Sequence, residues 1–337
     1  MKLLTCVIPC YNSAAYMRKA VDSALAGGNE MDIVIVDDGS TDETVRIADE
    51  YAACNPGLVR AVHQENGGHG EALNTGLREA EGLFFKVLDS DDRLDAAALK
   101  SMLALLRQHT AQPPDLVVHD YVYDHADREA VYGVDYATVF PQDRVITWEE
   151  AGFFPVSKQF MIHSLIYRTG LLREIGLHLP AHTFYEDNLY IYQPLPHVKR
   201  LLYHHVPLYG YLTGRGDQSV NETVILSRLG QVTEIAVQMI TSYRLEELNR
   251  LPRQLKRYMI NNCCGQLSTT CSLQFIQNTE ESLRMNRDMW QRIRDFDPAL
   301  YRALRRNPLG RATCLPGAPG RALLVFGYRL VRRHIRF

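Results

Sequence analysis

Leu83-Phe84-Phe85-Lys86-Val87-Leu88-Asp89-Ser90-Asp91-Asp92 runs from an apolar stretch directly into an acidic loop. Three earlier stretches have the same build. Residues 3–8 end at Pro9, residues 32–36 end at Asp37-Asp38-Gly39, and residues 58–62 precede Glu65-Asn66-Gly67-Gly68. These runs are continuous rather than alternating, the pattern of parallel strands buried on both faces. Helical stretches lie between them. Met17, Val21, Ala24 and Leu25 share one helical face. Ser40-Thr41-Asp42-Glu43 reads as a capping box opening a helix with Val45, Ala48 and Ala52 inside. Residues 71–80 form a third helix that Gly82 stops. Asp95 caps a fourth, with Leu99, Met102, Leu103 and Leu106 on its core face. This alternation predicts an α/β fold with a mostly parallel, doubly wound sheet. Ligands bind beyond the carboxyl ends of strands in such sheets. Residues 9–12, 37–40 and 89–92 are therefore expected to converge on one crevice.

Beyond residue 114 the pattern loosens. Residues 116–123 read as a strand, and tyrosines crowd residues 184–211. From about 226 the chain turns helical, over 229–248, 255–276 and 280–294. The chain of 337 residues is 46% hydrophobic and 23% charged, which allows a full-sized core. A net charge of −2 provides no whole-molecule field that would select nucleic acid. The seven cysteines are odd in number and lack the paired CxxC spacing of a zinc site, so free thiols in a reducing compartment are expected. Residues 1–12 are too short an apolar stretch for a signal peptide, and no 18 consecutive apolar residues predict a membrane span. A cytoplasmic location follows as the expectation.

The clustered carboxylates Asp89, Asp91 and Asp92 at a strand end suit a hard cation such as Mn²⁺ or Mg²⁺, which takes oxygen ligands and phosphate oxygens together. They also suit a surface turn in which Asp92 or Asp95 caps the next helix. Asp38 is the better ligand candidate of its pair, because adjacent carboxylates repel unless one is engaged. Tyr11, between Pro9 and Asn12, offers a flat face for a base. Asn66, Gly67, Gly68 and Gly70 form a loop whose backbone can approach a ligand closely. The loop has neither the GK[ST] of a P-loop nor a GxGxxG fingerprint, which disfavours ATPases and dehydrogenases. His163, His204 and His205 offer a further metal ligand, but a lone histidine is more often structural, and none of them is assigned that role.

Val7-Ile8-Pro9-Cys10-Tyr11-Asn12, Val36-Asp37-Asp38-Gly39-Ser40-Thr41-Asp42, Asn66-Gly67-Gly68 with Asn74-Thr75-Gly76, and Leu88-Asp89-Ser90-Asp91-Asp92 together resemble the successive signatures of the family 2 inverting glycosyltransferases. The resemblance implies the Rossmann-like GT-A fold and a nucleotide-sugar donor, with UDP-sugar the expected class. It implies that Pro9, Tyr11 and Asp38 contact the nucleotide, that Asp89 serves ribose and metal, and that Asp91 is the more direct metal ligand. Asn12, Asn66 and Gly67 join the nucleotide-binding candidates. Many relatives carry Ala-Arg-Asn where this chain has Ala72-Leu73-Asn74, so Leu73 stands in place of that Arg here. Glu186-Asp187 resembles the family's Glu-Asp pair, with Asp187 the general base and Glu186 tuning it by like-charge repulsion. Asp187 as a helix cap is the structural alternative. Arg215, in Gly214-Arg215-Gly216-Asp217, resembles a residue that pairs with the diphosphate.

The organisation expected is a nucleotide-sugar-binding half at 1–114, an acceptor and base half of the same domain at 115–225, and a helical region at 226–337. Residues 298–337 hold nine Arg and no Asp or Glu, so the rest carries −11. Drawn as a helix, residues 321–337 place Leu323, Phe326, Leu330 and Val331 on one side, flanked by Arg321, Arg329, Arg332, Arg333 and Arg336. That composition suits a helix lying on an anionic membrane surface, or one packed on the protein's own acidic body. The expected partners are thus a nucleotide-sugar, a glycan or lipid-linked acceptor, and the inner face of the plasma membrane. A homodimer contact through the C-terminal helices is also considered, and nucleic acid is not expected. The competing functions are a nucleotidyltransferase making a nucleotide-sugar and a non-catalytic sugar-nucleotide-binding protein.

Overall fold

The computed structural model describes residues 1–125, 128–155, 158–213 and 221–334. The chain forms two compact units, Met1–Thr213 and Gly214–Phe337.

The first unit contains strands β1 (Leu4–Cys10), β2 (Met31–Asp37), β3 (Val59–His63), β4 (Phe84–Val87), β5 (Arg93–Leu94), β6 (Leu116–His125), β7 (Arg128–Val134), β8 (Val145–Ile146), β9 (Leu165–Arg168) and β10 (Leu201–Thr213). Its helices are α1 (Met17–Leu25), α2 (Thr44–Cys54), α3 (His69–Glu79), α4 (Ala96–Gln108), α5 (Thr169–Glu174) and α6 (Asp187–Tyr192). One sheet runs in the order β3-β2-β1-β4-β9-β6-β10-β5, with β7 beside β6 and β8 beside β10. Every residue of β1, β2 and β4 is buried, as continuous apolar runs require. Register places the crevice. Cys10 pairs with Asp37, Asp37 with His63, and Val7 with Val87, all in parallel. The loops after β1, β2, β3 and β4 therefore leave the sheet along one edge.

The sheet is mixed rather than mostly parallel. Pairing is parallel through β3-β2-β1-β4 and again between β6 and β10, but β9 enters antiparallel between β4 and β6. The regular strand–helix alternation covers only the first four strands, and the long excursion to residue 165 brings β9 in from the opposite direction. The capping box at residue 40 does not form either. The Ser40 hydroxyl instead accepts the Asn12 N–H at 2.9 Å, and α2 starts at Thr44, whose N–H donates to Asp42. Asp95 does cap α4, accepting the N–H groups of Ala97 and Ala98, and Leu99, Met102, Leu103 and Leu106 are buried.

The second unit is helical: α7 (Glu222–Ser227), α8 (Leu229–Ile240), α9 (Leu245–Asn249), α10 (Arg253–Gln277), α11 (Glu280–Phe296), α12 (Pro298–Arg306), α13 (Pro308–Ala312) and α14 (Gly317–His334). The single helix expected over 229–248 breaks after Ile240. There the hydroxyls of Thr241 and Ser242 turn back onto the carbonyls of Val237 and Gln238, which competes with helix propagation. Asp297 and Asn307 cap α12 and α13 through their side chains. On α14, Leu324 is buried while Leu323, Phe326, Leu330 and Val331 are 47–65% exposed. Arg332 pairs with Glu222 at 2.8 Å. Arg336 and the side chain of Arg333 lie outside the described residues. Among the described residues no helix is long and apolar enough to cross a membrane.

Candidate active site

The acidic loop is anchored from below by β10. The Asp89 N–H donates to the Tyr209 hydroxyl at 3.1 Å. That hydroxyl donates to Asp92 at 2.5 Å, and the Leu212 N–H donates to the other Asp92 oxygen at 2.7 Å. Burial, together with the charges of Asp89 and Asp91, pushes the Asp92 carboxyl well above the usual range. Asp92 is thus the structural member of the trio, while Asp89 and Asp91 are only partly buried. The Ser90 and Ser13 hydroxyls meet at 2.8 Å and tie this loop to the one after β1.

His69, the first residue of α3, joins the acidic loop to the Glu186-Asp187 corner. Its Nδ1 lies 2.6 Å from Glu186 and its Nε2 3.2 Å from Asp89. Burial opposes charge on the ring, but hydrogen bonds to Asp89 and Glu186 hold its pKa well above the ordinary histidine value. The imidazolium, with two N–H donors, satisfies both carboxylates. Glu186 is buried. Asp187 is the first residue of α6, and Glu186 holds the N-cap position without a side-chain cap hydrogen bond. Burial and the adjacent Glu186 charge raise the Asp187 carboxyl to about 7. Nothing in the sequence marked His69 as part of the site except its position inside the glycine-rich loop.

Two glycines of that loop let other backbone and side chains approach closely. A Cβ on Gly68 would meet the His182 backbone at 3.1 Å, and one on Gly70 would meet the Pro180 carbonyl at 2.8 Å and Glu186 at 3.0 Å. The His182 N–H donates to the Gly67 carbonyl at 2.6 Å. Asn74 reinforces this docking by exchanging two hydrogen bonds, each 2.9 Å, with the Leu179 backbone. His182 and Tyr185 adopt positive φ, 50° and 72°, in shaping the turn into Glu186.

Asp38 is already occupied. Its carboxylate accepts the Gly67 and Gly68 N–H groups, each at 2.8 Å, and the side-chain amides of Gln64 and Asn66 at 2.7 and 3.1 Å. Those four bonds use the capacity of the group, so a nucleotide contact at Asp38 requires exchange of a donor. Asp37 is likewise engaged, by the Ser40 N–H and by His63. Pro9 is buried within β1. Tyr11 is 55% exposed beside the crevice, and Asn12 (φ 49°) accepts the Thr41 N–H. Arg215 lies outside the described residues. His204 pairs with Asp143 and Ser101, and His205 with Asp120, so neither reaches the site.

His163 does reach it. Ligand atoms of Asp89, Asp92 and His163 lie within 4.8 Å of one another. The His163 ring stacks on Tyr209 and Tyr211, with centroids 4.8 and 4.3 Å away, and its buried Nδ1 has no hydrogen-bond partner. Burial lowers its pKa to about 4, which leaves a neutral imidazole. The aromatic clamp from β10, with the edge of Tyr121 from β6, places this histidine, and no local spacing announces it. Lys86 is buried in the same region, its ammonium 2.9 Å from the His163 carbonyl and its pKa depressed by burial to about 7. The carboxylate oxygens suit Mn²⁺ or Mg²⁺, and an imidazole nitrogen among them favours the transition metal over Mg²⁺.

Residues 5–163 match the sequence model of the family described as glycosyl transferase family 2. The match covers the sheet-forming segment, just under half of the chain. A chondroitin synthase from Escherichia coli is 40% identical over 107 residues, which cover 32% of this chain and 16% of that protein. The first curated relatives matched are likewise covered only in part, 15% of a Rickettsia felis glycosyltransferase and 27% of one from Rickettsia prowazekii. Among solved structures, S. aureus TarS 1-349 superposes with a TM-score of 0.66 at 21% identity, over 98% of this chain and 92% of that one. A Pyrobaculum calidifontis mannosyltransferase in complex with GDP-Man and Mn²⁺ gives 0.57 at 17% identity, over 97% and 79%. These likenesses establish the GT-A-type fold.

Proposed function

We propose that this protein transfers a sugar, with inversion, from a nucleoside-diphosphate sugar to a hydroxyl of a glycan or lipid-linked acceptor in cell-surface polysaccharide synthesis. The observation that supports the reading is the bridge from Asp89 through His69 to Glu186, the neighbour of the proposed base Asp187. TarS has been solved with UDP and with UDP-GlcNAc, which supports a UDP-sugar donor here.

In the proposed reaction the acceptor oxygen attacks the anomeric carbon. The bond from that carbon to the diphosphate breaks, and the acceptor proton passes to a carboxylate oxygen of Asp187. A carboxyl of pKa about 7 is matched to that task near neutral pH. Glu186 keeps the Asp187 pKa high, and His69 holds Glu186 in place. Tyr11 provides a face for the base, and Arg215 pairs with the diphosphate. Asp89 and Asp91, with His163 close by, would hold a divalent ion that neutralises charge on the leaving diphosphate. The exposed stripe of α14 and its arginines support peripheral attachment to the inner face of the plasma membrane, where a lipid-linked acceptor resides.

The test is incubation with a panel of nucleotide-sugars and Mn²⁺. Free nucleoside diphosphate is expected. Release of pyrophosphate would instead mean nucleotidyl transfer, and binding without turnover a non-catalytic protein.

A further inference from the structure

We propose that a cleft within the helical unit is a second ligand site, one that takes a phosphate or diphosphate group carried on a larger molecule. The cleft has a volume of about 470 Å³ and lies between α11, α12 and the start of α14. Arg287 and Arg294 of α11, Arg305 of α12 and Arg321 of α14 line it, together with Trp290 and Tyr301. No aspartate or glutamate does.

The pairing of these arginines is the telling feature. Arg292, also on α11, pairs with Glu234 at 2.6 Å, and Arg332 on α14 pairs with Glu222. Among the described residues none of the four cleft arginines forms an ion pair with a carboxylate. Two are braced by aromatic groups instead. Arg305 donates to the Tyr301 hydroxyl at 2.7 Å and lies 5.4 Å from its ring centroid, and Arg321 stands 5.9 Å from the Phe275 ring. Four guanidinium groups around one space repel one another, and an anion placed among them removes that repulsion. Guanidinium forks match phosphate oxygens in pairs, and their weak hydration suits them to such sites. The volume exceeds what a phosphate fills and falls in the range of small-molecule sites. Trp290 stands edge-on to Tyr301, with centroids 5.7 Å apart, and gives the rest of the ligand an apolar wall. The ligand class is therefore phosphoryl-bearing with an apolar or sugar portion. This site lies wholly within the second unit and does not depend on the transferase reading.

The full chain holds two tryptophans, and the other, Trp148, is buried in the first unit. Trp290 fluorescence therefore reports on the cleft. Inorganic pyrophosphate is titrated at constant ionic strength with EDTA present, by fluorescence and by calorimetry. The expected result is a saturable change that disappears in Trp290→Phe, with a midpoint raised at least about tenfold in Arg287→Gln/Arg294→Gln. No saturable fluorescence change or heat, or a midpoint that the double substitution leaves alone, overturns the proposal. A second arm identifies the source of the phosphate, using phosphatidylglycerol vesicles. If the double substitution weakens vesicle binding as well, the group is a lipid headgroup. If it weakens only pyrophosphate binding, the group belongs to a soluble phosphorylated ligand.

Discussion

The imidazole of His69 stands between two carboxylates that are 97 residues apart in sequence, 2.6 Å from Glu186 and 3.2 Å from Asp89. It hydrogen-bonds both the acidic loop and the proposed base corner. Its removal leaves the carboxylates facing one another with no cation between them. His69→Ala should lower the turnover rate by roughly 100-fold, the scale of a small misplacement of catalytic groups. The donor KM should change far less. Steady-state kinetics check the split, and an equal loss in both would make His69 a donor ligand instead.

Asp187 must be ionised to accept a proton, and its pKa is raised to about 7 by burial and by Glu186. Below that pH the group is protonated and cannot act. The rate should therefore fall as pH drops through about 7. Glu186→Gln removes the neighbouring charge, so the Asp187 pKa falls and the acid limb moves to lower pH. The pH–rate profile of both forms measures this, and an unmoved limb would detach the limb from Asp187.

Two adjacent carboxylates of the acidic loop should respond differently. Asp92→Ala strands the Tyr209 hydroxyl and the Leu212 N–H, and should cost about 1–3 kcal/mol of stability in a denaturant melt. Asp91→Asn, at a partly exposed position, should weaken Mn²⁺ binding, as followed by electron paramagnetic resonance. If His163→Ala abolishes Mn²⁺ binding while Asp91→Asn does not, the ion belongs to Asp89, Asp92 and His163.

The stripe on α14 should carry attachment to anionic vesicles. Leu323→Ser/Phe326→Ser alters two side chains that are 61% and 65% exposed, so the fold should survive. Co-sedimentation with phosphatidylglycerol vesicles should drop several-fold, and neutral vesicles should bind neither form. Unchanged binding would leave α14 without that role.

The sequence made the first four strands legible, because continuous apolar runs that end in polar loops admit little besides a parallel sheet. It also exposed the acidic loop and the Glu186-Asp187 pair. The roles inside the crevice were less legible. Asp38 reads as a ligand in sequence, yet its oxygens hold the Gly67-Gly68 backbone. The glycines read as room for a ligand, yet Gly68 and Gly70 make room for residues 180–186. His163 arrives through stacking on Tyr209 and Tyr211, some fifty residues later in the chain. Each of these depends on contacts between distant segments, which local pattern does not encode. Antiparallel β9 was hidden for the same reason.

The most direct test of the central claim is nucleoside-diphosphate release by the unmodified chain and by Asp187→Asn, with the preferred nucleotide-sugar, Mn²⁺ and acceptor. The account predicts release that falls by roughly 100-fold or more in the variant, while calorimetry finds donor affinity nearly unchanged. Donor affinity that falls as far as the rate, or a variant that turns over normally, would contradict it.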